Sequence, residues 1–140
     1  MNEAMNKPVN IPHAPPMHWL DSAVISEDGL TASATRTILA DQPFVLNGQL
    51  LSAALIELMA QAAAAASSLN AARENKRIRR GVLAGLREFR IQGPALVGAT
   101  VEIIAHHEKT FGALSMGRME ARIDGRLIAS ARMTFHLDFE

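Results

Sequence analysis

The chain has 140 residues, 49% hydrophobic and 20% charged, with a formal net charge of zero and no cysteine. That suffices for one domain whose core stands without staples, and it excludes a disulfide scaffold, thiol catalysis and Cys-ligated zinc or iron–sulfur sites. The neutral balance gives no argument for nucleic acid, and 4% aromatics without a tyrosine leaves few platforms for stacking bases.

Residues 1–10 are polar and lack a basic-then-apolar signal pattern, so a flexible leader and a cytoplasmic protein are the expectation, with 11–140 forming a single domain. Ile11-Pro-His-Ala-Pro-Pro16 is a stiff extended segment in which proline restricts the backbone. Strand-like stretches at 19–26 and 30–39 flank Glu27-Asp28-Gly29, a hairpin signal.

The next segment contains one charged side chain between Asp41 and Arg73, namely Glu57. Around it the sequence is rich in Ala, Leu and Met, with no proline and no internal glycine, which predicts a helix from Gln49 to about Asn70. Asn47 or Ser52 is placed to cap it, and Gly48 allows a tight approach to its start. Its apolar character does not thin out on any face, as in a helix wrapped by other structure. A membrane span is the rival reading, since the length is near the roughly 20 residues a bilayer needs. Against it stand the high alanine share and the placement of Glu57 and Gln61 one turn apart at mid-helix.

A polar, basic connector follows at 73–80, then strand-like stretches at 82–91, 100–109, 113–123 and 126–136. Asp124-Gly125 between two of them is the strongest hairpin signal in the chain. In the last stretch Leu127, Ala129, Ala131, Met133 and Phe135 share one face, and Ser130, Arg132, Thr134 and His136 the other, which describes a sheet with one buried side. Two strands, an apolar helix and four antiparallel strands is an α+β order in which one sheet covers one helix.

The local sequence resembles the hotdog-fold 3-hydroxyacyl-acyl-carrier-protein dehydratases in three blocks. The first is Ile11-Pro-His13 with Pro16-Met17 and Leu20-Asp21, although the family's following Arg is Ser22 here. The second is Leu55-Ile-Glu57-Leu-Met-Ala-Gln61, close to the family's helix signature. The third is Leu83-Ala-Gly85 through Pro94 and Gly98, then Glu108-Lys109-Thr110, Gly112 and Asp124-Gly125-Arg126. The family sets a catalytic His in a Gly-His-Phe-Pro-Gly loop ahead of the helix. Alignment on Glu57 puts Pro43 in that place, and no histidine occurs between Asp21 and Ala105. The chain therefore resembles the divergent branch without this histidine, which includes proteins associated with aryl-polyene pathways.

The resemblance implies an antiparallel sheet wrapped round one central helix, with no resident cofactor and an acyl thioester substrate carried on the phosphopantetheine of acyl carrier protein or on CoA. It also implies a homodimer, or a higher oligomer built from dimers, with the site between protomers and no membrane insertion. Dehydration needs a base for the proton beside the carbonyl, an acid for the leaving hydroxyl and a donor to the thioester oxygen. Glu57 matches the family's carboxylate. Gln61 is placed to orient it, the backbone N–H groups near Ser52 and Ala53 to meet the carbonyl, and His13 to act as substitute base.

Each assignment has a plainer alternative. Glu57 pairs with Arg87 or Arg90 from the sheet, His13 ties down its own segment, and His18 packs beside Trp19. His106 and His107 point to opposite faces of a strand, and His136 is solvated. Met17, Leu20, Met59 and Phe89 are either tunnel residues or plain core. The cluster Arg73, Lys76, Arg77, Arg79 and Arg80 is either a dock for an acidic carrier protein or a solvated connector. Thioester hydrolysis and non-catalytic acyl binding are the competing functions.

Overall fold

The structure, a computed structural model, describes residues 19–140. The leader, the proline-rich segment with His13, and Met17 and His18 lie outside the described residues. The elements run β1 (Ser22–Ile25), β2 (Thr31–Thr37), β3 (Val45–Leu46), β4 (Gln49–Leu50), α1 (Ser52–Arg73), β5 (Ile78–Ile91), β6 (Thr100–Phe111), β7 (Leu114–Ile123) and β8 (Arg126–Phe139). Six of the strands form one antiparallel sheet in the order β1-β2-β6-β7-β8-β5, and α1 lies across it, packing on β1, β2, β5, β6 and β7.

Turn chemistry sets the register. Asp124 and Gly125 take positive φ values of 51° and 78° and close the β7–β8 hairpin between Ile123 and Arg126, as a two-residue turn matched to strand twist demands. Asn47 and Gly48, at 55° and 76°, do the same for β3 and β4. This corrects the expected helix start. Gln49 and Leu50 are strand, and α1 begins at Ser52 with Leu51 in the cap position and no side-chain cap. At its other end α1 reaches Arg73, whose Nη1 donates to the carbonyls of Ser26 and Glu27 at 2.9 Å each, while Asn70 Nδ2 donates to the Gly29 carbonyl at 2.9 Å. These bonds fasten the helix end to the β1–β2 turn.

The core lies between helix and sheet. Leu58 and Met59 of α1 are fully buried with Ile38, Val101, Ile103, Ile128 and Met133, each such side chain being worth about 1.5–3 kcal/mol of apolar transfer. In β8 the predicted alternation holds from Ala129 to Met133, but Ile128 and Ala129 are both buried. A bulge explains this: Ala121 faces Ala129, whereas Arg122 faces Leu127, so one extra residue turns inward.

By length and composition α1 could cross a membrane, a test that core helices also pass. The sheet does not wrap it completely. Leu55, Leu58, Met59 and Ala62 face the sheet and are buried, whereas the stripe Ala53, Glu57, Ala60, Ala64 and Ser68 is only partly covered within one chain. The expectation, drawn from its all-round apolar character, of a helix wrapped on every face is corrected here for the single chain.

β5, the edge strand beside that stripe, also differs from its reading as a shorter strand after a polar connector. It starts at Ile78, takes in Arg79 and Arg80, and shows three register shifts against β8.

Candidate active site

Glu57 stands on the second turn of α1, half-buried rather than buried. One turn on, the fully buried Gln61 donates from Nε2 to Glu57 Oε1 at 2.9 Å, and its Oε1 accepts the backbone N–H of Trp19, also at 2.9 Å. The predicted pairing on one helical face is thus present, and Gln61 additionally anchors the chain ahead of β1. Trp19 was not anticipated in this role. No sequence pattern reports it, because a main-chain donor 42 positions away carries no side-chain signature.

A groove of about 200 Å³ opens beside Glu57. Its helix side is built of small residues, Ala60, Ala63, Ala64 and Ser67, and its sheet side of Leu83, Phe135 and Leu137. Of the four residues named for a tunnel, Leu20 and Met59 are plain core, Phe89 packs partly buried against it, and Met17 lies outside the described residues. Phe135 and Leu137 line the groove because they are inward-facing positions of β8, a face the period-two pattern did mark.

Ser52 and Ala53 occupy the exposed first turn of α1. The first bond there runs from Ala54 N–H to the Leu51 carbonyl at 3.0 Å, and no acceptor among the described residues takes the N–H groups of Ser52 and Ala53. They point outward at the positive end of the helix dipole, where a polarised carbonyl is favoured. In the preceding loop Pro43 is exposed in a turn, next to Phe44, which has φ 65° and meets the Trp19 ring edge-on at 5.6 Å. Proline offers no proton to transfer, so the loop itself supplies no acid or base at that position.

Arg87 and Arg90, the alternative partners named for Glu57, are exposed on β5, and among the described residues neither forms an ion pair with it. His106 Nε2 lies 3.4 Å from Glu120 Oε1, while His107 contacts the hydroxyls of Thr110 at 3.0 Å and Ser115 at 3.4 Å, so the two imidazoles serve separate sets. His136 is exposed. Among the described residues no group of His, Asp and Glu is arranged to hold a metal. The basic cluster is mostly spent internally: Arg73 on backbone carbonyls, Lys76 with Glu74, Arg77 with Glu140 and Arg79 with Asp138. These pairs lie at the surface, and Arg79 and Arg80 belong to β5 rather than to a connector.

An antiparallel sheet curled on one long helix, with the Glu57 carboxylate facing an apolar groove, defines a protein of the hotdog fold. A sequence profile of ApeP-like proteins, described as ApeP dehydratase, matches residues 8–137, and the chain belongs to that family. It is 25% identical over 134 residues to 3-hydroxyacyl-[acyl-carrier-protein] dehydratase FabZ of Herpetosiphon aurantiacus, covering 89% of this chain and 90% of that one. The dehydratase heterocomplex ApeI:P from Xenorhabdus doucetiae superposes with a TM-score of 0.83 at 22% identity, covering 91% of this chain and 88% of its counterpart. Mouse thioesterase superfamily member 2 gives a TM-score of 0.65 at 20% identity, covering 84% of each chain. The structural matches establish the fold, and the family match makes the chain a 3-hydroxyacyl-[acyl-carrier-protein] dehydratase-like protein.

Proposed function

We propose that this chain takes part in dehydrating a 3-hydroxyacyl thioester carried on the phosphopantetheine of acyl carrier protein, with Glu57 as its proton-transferring group. The observation that carries the reading is Glu57 at an apolar groove, its carboxylate oriented by Gln61. In the reaction a base removes the proton beside the carbonyl, that electron pair forms the new double bond, and the 3-hydroxyl leaves as water with a proton from an acid. The outward N–H groups of Ser52 and Ala53 are suited to hold the thioester oxygen as it gains negative charge. His13 is assigned as the second acid or base, on its match to the family's N-terminal motif. The setting is the cytoplasm, and no resident cofactor is needed because both proton transfers use side chains.

Completion of the site by a second hotdog subunit is part of the proposal. β5 leaves Val82, Leu83, Leu86 and Ile91 between 38% and 44% exposed at the sheet edge, beside the half-covered stripe of α1. An unpaired edge with apolar side chains is a face for strand addition. The partner is either a second copy or a different chain, the Xenorhabdus protein being part of a dehydratase heterocomplex.

The second reading follows from Pro43: this chain is a supporting subunit, and its partner brings the histidine. Purified protein is incubated with a 3-hydroxyacyl carrier-protein thioester, alone and with a histidine-bearing hotdog partner, and enoyl product and free thiol are measured. Enoyl product from the chain alone, lost in Glu57→Gln, supports the first reading. Product only with the partner, indifferent to Glu57→Gln, supports the second. Free thiol without enoyl product overturns both in favour of a thioesterase.

A further inference from the structure

Beyond Phe135 the groove does not end. A second cavity of about 320 Å³ lies along the C-terminal half of α1, under the ends of β6, β7 and β8. It shares Ala63, Ser67, Phe135 and Leu137 with the groove beside Glu57, so the two spaces meet at those four side chains. From the helix only a methyl and a hydroxymethyl group intervene. Phe135 is the bulkiest group at the junction, it is half-buried, and its backbone is held between Leu83 of β5 and Ser115 of β7. The lining of the second cavity mixes apolar side chains, among them Ala32, Ala105, Met116 and Met119, with polar ones, among them Asp28, Asn70, Glu74 and His107. Methionine is suited to an irregular apolar guest because its unbranched chain adapts.

We propose that the second cavity receives the distal end of the acyl chain, and that Phe135, acting with Ser67 opposite, determines how long a chain is accommodated. The inference rests on the reading of the Glu57 groove as the acyl site. That groove has its carboxylate at one end and, at the other, a junction between small helical residues and one aromatic ring. A chain that runs down the alanine face from Glu57 reaches Phe135 at the junction, and the volume behind the ring, about 320 Å³, exceeds the roughly 200 Å³ of the groove in front.

The test is a calorimetric titration with saturated acyl-pantetheine thioethers of increasing length, which bind without turning over. Apolar transfer predicts about a tenfold gain in affinity for each two methylenes that find cover, so the length at which the gain stops reads the end of the channel. In Phe135→Ala that stopping point moves at least two carbons longer, and in Ser67→Leu, which fills the junction from the helix side, it moves shorter. Phe135→Leu, which retains apolar cover, takes the place of Phe135→Ala if the latter fails to fold. The same stopping point in wild type and both variants overturns the assignment while leaving the acyl groove intact. Absence of binding at every length overturns the groove reading and this inference together.

Discussion

Gln61 joins Trp19 to Glu57: its amide oxygen takes the Trp19 N–H and its amide nitrogen donates to the carboxylate, both at 2.9 Å. One fully buried side chain thus both locks the approach to β1 and orients the Glu57 carboxylate. Gln61→Leu, nearly isosteric, removes both bonds and leaves a buried main-chain donor short of an acceptor. The expected loss is about 1–3 kcal/mol, read by urea unfolding, together with reduced turnover. Unchanged stability sinks the anchoring role.

Glu57→Gln keeps the size and hydrogen-bonding capacity of the side chain and removes its proton chemistry. Dehydration in the competent assembly is expected to drop at least about a hundredfold, with the melting temperature near that of wild type. A drop in rate accompanied by unfolding assigns Glu57 to structure instead.

Leu58 faces the sheet directly beside Glu57 on α1 and is completely buried. Leu58→Ala is expected to cost about 2–5 kcal/mol through lost transfer and an unfilled cavity, measured by denaturant unfolding. A cost well below this range means the sheet closes over the site, and the helix is less firmly gripped than its burial implies.

Gly125 holds φ 78° in the β7–β8 turn, where nothing crowds an added Cβ. The cost of Gly125→Ala is therefore conformational, about 1 kcal/mol or more. Gly125→Asn, better tolerated at positive φ, is expected to recover part of it. Equal stability of the three proteins contradicts the turn assignment.

Two exposed aspartates contribute to the acid limb of stability. The Ser26 hydroxyl and then the Leu30 N–H hold Asp28 below its ordinary range, and a hydrogen bond from Arg79 does the same for Asp138. A depressed folded pKa gives stability that is fully present above the unfolded value of about 3.9 and is lost as pH falls through the lower folded value. The double variant Asp28→Asn, Asp138→Asn is therefore less stable than wild type near pH 6, and the gap closes at the acid end of a urea-midpoint series. A gap independent of pH contradicts the linkage.

Local chemistry made much of the fold legible. The alanine-rich run around Glu57, the Asp124-Gly125 turn and the alternation in β8 each reflect interactions within a few residues, so a single chain segment carries the information. The limits appear where two local outcomes are nearly equal. Asn47-Gly48 suits a helix start and a two-residue hairpin alike, and the pairing of β3 with β4, braced by Leu50 N–H on the Ala95 carbonyl at 2.8 Å, decides for the hairpin. The bulge at Ile128 is likewise invisible in period-two patterning, since it depends on the register of β7.

For the candidate site, sequence by itself determined the helix carrying Glu57 and Gln61, their shared face, and the absence of an imidazole at Pro43. Helical periodicity and a family motif are properties of the chain order. Tertiary structure alone decided that Gln61 reaches Trp19, that Arg87 and Arg90 stay away from Glu57, and that Phe135 divides two cavities. Those relations join groups tens of residues apart, and they exist only because the sheet curls far enough to bring β8 and β5 against one face of α1 while leaving Glu57 half open beside them.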